Sequence, residues 1–176
     1  MFTKIAVATD GSPLATKAVH AAADLAAQCG SEVTVLHVLM HGEPPEDLKR
    51  MAMVEHLVEY QPHIQLAIEN IPSQMMAARA DAERHAIDHQ VIMAMGQKIV
   101  EHAKYLAQES GVKSVKVKTE VLEGDSADEI LSAAKRNGAD LIVLGTRGLG
   151  PVQSLFMGSV SHKVTQEANC ACLVVK

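Results

Sequence analysis

Aromatic residues are nearly missing from this chain. It has no Trp, two Tyr and two Phe among 176 residues, so Ala, Val, Leu and Met must fill its interior. Cysteine is scarce too: the three residues are odd in number and form no C-x-x-C pair. Cys170 and Cys172 stand two apart, on one face of a strand, which suits small buried thiols in a reducing compartment better than a disulfide. Strong positive charge is also lacking. The net charge is −5, which argues against a general nucleic-acid binder. No apolar run approaches the length of a membrane span. In the opening MFTKIAVATD, Lys4 and Asp10 leave too short an apolar stretch for a signal peptide. These absences lead us to expect a cytoplasmic protein whose partners are neither membranes nor nucleic acids.

What is present is an alternation of buried strands and helices, at a length that suits one domain spanning 1–176. Lys4 to Thr9 (KIAVAT) reads as a buried strand ended by Asp10-Gly11-Ser12-Pro13. Ser12 is a good N-cap and Pro13 suits the first helical position. The helix then runs to about Cys29, where Gly30 stops it, and packs through Ala15, Ala18, Ala22, Leu25, Ala26 and Cys29. Glu32 to Leu39 (EVTVLHVL) is the next strand, so the chain opens as a right-handed βαβ unit.

Residues 40–95 depart from this alternation. Glu46 to Tyr60 has helical spacing, with Leu48, Met51, Val54, Leu57 and Val58 on one stripe. Pro62 and Pro72 bracket a segment of ambiguous type containing Ile64, Leu66 and Ile68. Ser73 then caps a long helix reaching Ser110, with Gly96 the expected place for a bend or break. His85-x3-His89 has a zinc-ligand spacing on that helix, but without H-E-x-x-H or a Cys partner it reads as a polar face.

Beyond Gly111 the alternation returns. Val115, Val117, Thr119 and Val121 face one way and Lys116, Lys118 and Glu120 the other, as in a sheet-edge strand. Asp125 and Ser126 can cap the next helix, and Ser126-x-x-Glu129 fits a capping box. That helix packs through Ile130, Leu131 and Ala134 and ends at Gly138. Leu141 to Leu144 is a buried strand, Ser159 to Asn169 a helix and Ala171 to Lys176 (ACLVVK) a final strand. Five strands alternating with helices give a doubly wound α/β sandwich.

Function concentrates between strand and helix in Leu141 to Cys170. Glycines let backbone amides approach a ligand, and a helix start offers free N–H groups and a positive dipole end. The combination is an anion site, phosphate being the usual anion. Because the protein is acidic, the loop must supply positive potential, and Arg147, His162 and Lys163 are candidates. The spacing is Gly145-x2-Gly148-x9-Gly158-Ser159, with neither a dinucleotide fingerprint nor a Walker A lysine.

This pattern resembles the nucleotide-binding loop of the universal stress protein family. The opening KIAVATDGS and the ending GSVSHKVTQEANCACLVVK are similar to the family as well, so the likeness covers 1–39 and about 91–176, with about 40–90 a helical insertion after the second strand. The resemblance implies a five-stranded parallel sheet of order 3-2-1-4-5, which sets Asp10 and Gly145 against each other at the switch-point crevice. It implies that Gly145, Gly148, Gly158 and Ser159 hold phosphates, that Asp10 accepts hydrogen bonds from ribose, that Ala8, Thr9, Val38 and Leu144 border adenine, and that Val160 shapes the loop's end. The competing reading of Asp10 is a plain turn residue before Gly11. The resemblance also implies a homodimer joined through the C-terminal strand.

The expected ligand is ATP, with Mg2+ as a companion ion, in a nucleotide-dependent stress or regulatory protein whose hydrolysis is slow or absent. The alternatives are an ATPase or nucleotidyl-transfer enzyme of related fold, and a module binding AMP or cyclic AMP. No paired bases stand near the loop in sequence and no catalytic residue stands out.

Overall fold

The computed structural model describes residues 1–40, 42–54, 57–58, 73–113, 116–148 and 157–176. In order the elements are β1 (Lys4–Ala8), α1 (Pro13–Cys29), β2 (Glu32–Val38), α2 (Glu46–Val54), α3 (Ser73–Glu109), β3 (Val117–Leu122), α4 (Ser126–Asn137), β4 (Leu141–Gly145), α5 (Ser159–Glu167) and β5 (Ala171–Val175). The backbone falls into two compact units, one comprising Met1–Leu39 with Gly96–Lys176 and the other Met40–Met95.

The first unit is the doubly wound sheet, with five parallel strands in the order β3-β2-β1-β4-β5. Strand periodicity explains its two cores. Ile5 and Val7 of β1 join Val33, Val35, Leu141 and Val143 on one face, while Ala6 joins Leu36, Ile142 and Leu144 on the other. The first face is covered by α1 and by Val100, Ala103 and Ala107 of α3, the second by α4 and α5. Alanines at 18, 22 and 23 of α1 are fully buried, and their small size lets the helix lie close to the sheet in place of aromatic filling.

The expected start and stop of α1 are present. Ser12 Oγ accepts from Ala15 N at 3.3 Å, Pro13 opens the helix and Gly30 ends it at φ 69°. At α4 the cap is Asp125, whose Oδ1 accepts from Ala127 N and Asp128 N at 3.2 and 3.1 Å. Ser126 is already helical, so the capping box expected of Ser126 and Glu129 does not form, because the carboxylate reaches both amides first.

Gly96 does not break α3, which runs unbroken from Ser73 to Glu109. The glycine makes room instead: a Cβ there would stand 2.7 Å from Leu39 Cδ2 and 3.1 Å from His37 Cδ2.

In the second unit α2 ends at Val54, earlier than the expected Tyr60. Its expected stripe is only partly buried, with Met51 41% and Val54 72% exposed. The cause is polar. Lys49 Nζ reaches Asp88 Oδ1 of α3 at 2.8 Å and Glu46 Oε1 at 3.0 Å, turning the side of α2 that carries Lys49 and Ala52 inward. Ala52, Val58 and Val91 form a small core there, with Leu48, Leu57 and Ile87 against it. The segment Pro62–Pro72 lies outside the described residues, and among the described residues no helix is long and apolar enough to cross a membrane.

Candidate functional site

The carboxyl ends of β1 and β4 lie side by side at the point where strand order reverses, Val7 opposite Val143. Beyond them is a cleft of about 480 Å³, a volume ordinary for a small-ligand site. Ala8, Thr9 and Asp10 enter it from β1, Val38 from β2, Leu144, Gly145, Arg147 and Gly148 from β4 and its loop, and Gly158, Ser159 and Val160 from the start of α5. These residues, which the family resemblance and the loop chemistry offered as candidates, thus line one cavity.

Local chemistry builds the two loops. On the β1 side, Thr9 N donates to Leu36 O at 2.9 Å, which carries pairing one residue past the strand. Gly11 turns the chain at φ 79°, and Ser12 N donates to Asp10 Oδ1 at 3.0 Å. That Asx turn holds the Asp10 carboxyl at the cleft wall. On the β4 side, Gly145 lies against the start of α1, where a Cβ would stand 3.1 Å from Leu14 C and 3.2 Å from Ala15 N.

Thr146 then closes the glycine-rich loop. Its carbonyl accepts from Gly158 N at 2.8 Å and from Ser161 Oγ at 2.9 Å, while its own N donates to Val175 O at 2.8 Å. The N-cap of α5 is Gly158, and no side chain caps the helix. The first turn of α5 therefore begins at the cleft without a side-chain cap on its amides.

The structure adds walls that the motif did not name. Ser126 and Ile130 bring the start of α4 to the cleft, and Ala15, Leu36, Met157 and Ser161 complete the lining. Topology was the available signal for α4, since a helix following a parallel strand begins at the same sheet edge as the crevice. For Ser161 it was the spacing from Gly158, three residues on, where a hydroxyl bonds back to the first-turn carbonyl; Ser161 Oγ donates to Gly158 O at 2.9 Å.

Positive charge is distributed differently from expectation. Arg147 lines the cleft, but His162 and Lys163 do not. Lys163 Nζ is held by Asp128 Oδ1 at 2.6 Å and Asp125 Oδ1 at 3.4 Å. The hydrogen bond to Asp128 raises the Lys163 pKa above its usual value. The backbone N–H of Asp128 is the largest influence lowering that of Asp125, and Lys163 adds to it. Among the described residues no group of three or more His, Cys, Asp or Glu side chains is arranged to hold a metal ion.

An open parallel sheet with a glycine-lined crevice at its switch point defines an α/β protein of the doubly wound class. A model of the universal stress protein family matches residues 1–176, and the chain belongs to that family. It is 34% identical over 178 residues to universal stress protein YxiE of Bacillus subtilis (strain 168), with 100% of both chains covered. Among solved structures it is similar to the universal stress protein from Archaeoglobus fulgidus in complex with dAMP, with TM-score 0.57 and 19% identity over 100% of this chain and 99% of that one. A universal stress protein in complex with cAMP gives TM-score 0.58 and 18% identity over 99% of this chain and 97% of that one. The two structures share the fold.

Proposed function

We propose that this chain is a stress or regulatory protein that binds an adenine nucleotide in the cleft between β1 and β4, with hydrolysis slow or absent. The observation that carries the reading is the convergence of Asp10, Gly145, Gly148, Gly158 and Ser159 on one cavity. The family membership and the dAMP and cAMP complexes of similar folds support it. In this reading the amides at the start of α5 and the Ser159 hydroxyl hold phosphate, Asp10 accepts from ribose, and Ala8, Val38 and Leu144 border the base. ATP is the ligand the loop spacing suggests, and Mg2+ would travel with it as its usual counter-ion. The sole carboxylate lining the cleft among the described residues, Asp10, is engaged by Ser12 N, which suits binding better than turnover.

Two further features go with this reading. The apolar edge strand β5 suits isologous pairing of two copies, and the free thiols of Cys29, Cys170 and Cys172 suit a reducing cytoplasm. Dimerisation is checked by the mass in light scattering at micromolar concentration, where a monomer would remove that part. The binding test is Gly158→Val. A Cβ at 158 already stands 3.2 Å from Thr146 O, so the larger side chain forces apart the contact that anchors the glycine-rich loop and displaces the start of α5 from the cleft. Nucleotide affinity should fall at least about tenfold by calorimetry. A folded variant that binds ATP, AMP and cyclic AMP as tightly as the parent would refute the site.

A further inference from the structure

We infer that this cleft is matched to an adenine nucleotide carrying a single phosphate and discriminates against metal-free ATP. The inference rests on the nucleotide reading of the same cleft and concerns which nucleotide it holds.

Its basis is a charge count. From Gly145 to Val160 the sequence reads GTRGLGPVQSLFMGSV, in which Arg147 is the one ionic residue, so the entire phosphate loop carries a single cation. Among the described residues that line the cleft, the other ionic side chain is the Asp10 carboxylate, so the lining carries one charge of each sign. Neither His162 nor Lys163 lines the cleft, and Lys163 is held by Asp125 and Asp128. That cluster holds two carboxylates and one ammonium and adds no positive potential. The whole chain, at −5, adds none either.

A phosphate monoester brings about 1.5–2 negative charges at neutral pH, and a metal-free triphosphate on the order of twice that. A cyclic diester brings about one. One guanidinium with the free amides at the start of α5 can match the smaller charges. Each further phosphate would enter a site with no second side-chain cation to meet it, beside the Asp10 carboxylate. A divalent ion carried in with ATP would lift much of that penalty, so the discrimination should be largest when the metal is removed. AMP and cyclic AMP share the one-phosphate chemistry and are separated by experiment.

The test is calorimetry on the intact chain, stripped of co-purified nucleotide, with AMP, cyclic AMP and ATP, each in EDTA and in Mg2+. In EDTA the better of AMP and cyclic AMP should bind about tenfold or more tightly than ATP, a difference of about 1.4 kcal/mol. Mg2+ should tighten ATP severalfold and leave the preferred monophosphate within about twofold, as charge screening at the triphosphate alone requires. Whichever monophosphate binds better identifies the ligand. Metal-free ATP binding as tightly as both monophosphates, or more tightly, overturns the inference and leaves the nucleotide reading standing. No binding of any of the three to folded protein overturns both.

Discussion

Gly148 sits directly against the carboxyl of Asp10, so that a Cβ at 148 would overlap Asp10 Oδ2. The two residues lie far apart in sequence, at the ends of the two strands that flank the cleft. The glycine is required by proximity: among the glycines with positive φ, Gly148 does not figure.

Gly148→Ala should therefore act on binding and little on folding. The position is exposed, and its stability cost should stay within about 0.5 kcal/mol. The methyl displaces the Asp10 carboxyl, and nucleotide affinity should fall about tenfold. Calorimetry on Gly148→Ala, Asp10→Ala and the double variant checks the coupling. If the two losses simply add, the residues act independently and the explanation fails.

Gly96→Ala sets two effects against each other. Alanine is favoured over glycine in a helix by about 1 kcal/mol. The new Cβ, however, meets Leu39 Cδ2 at 2.7 Å, His37 Cδ2 at 3.1 Å and Val121 Cγ1 at 3.2 Å. Overpacking of that kind costs about 1–3 kcal/mol, so the variant should be less stable than the parent despite its better helix propensity. Urea denaturation decides the sign, and a stabilised variant would show that the neighbours yield freely.

The third expectation concerns acid. Asp140 precedes β4, and its Oδ2 accepts from Thr3 N at 2.8 Å and Thr3 Oγ1 at 2.7 Å, while Oδ1 accepts from Lys4 N at 3.2 Å. Desolvation pushes its pKa up, but these bonds outweigh it and the net shift is below the ordinary value of 3.8. A lowered folded-state pKa adds stability above the unfolded value and loses it as pH falls through the folded one. Asp140→Asn should cost about 1 kcal/mol at pH 7, a modest figure because solvent screens the site. The gap between variant and parent should close below about pH 4. Urea titrations at several pH values read it, and a gap that persists in acid would remove the carboxylate from the explanation.

The sheet was readable because its strands are short apolar runs separated by strong punctuation. Ser12-Pro13, Gly30, Gly111 and Gly138 each mark a boundary found in the structure. The cleft was readable because its glycines and Asp10 lie at strand ends, where topology and chemistry coincide. What escaped depends on contacts between distant segments. No local pattern reveals that Asp88 turns Lys49 inward and leaves Met51 and Val54 in solvent, since amphipathic spacing names a stripe without naming its partner. Gly96 was misread for a related reason: helix propensity describes an isolated helix, whereas Leu39 and Val121 decide what fits at that point. Lys163 looked available to a ligand because Asp125 and Asp128 belong to another helix.

The anchorage of the glycine-rich loop has a bearing on inheritance. Its acceptor is the Thr146 backbone carbonyl, which any residue at that position would supply. One donor is the backbone N–H of Gly158, which only proline would remove. Among the described residues Ser161 contributes through its side chain. Most amino acids around the loop could therefore be exchanged without removing these backbone groups. Divergence is then free to rewrite the residues between them.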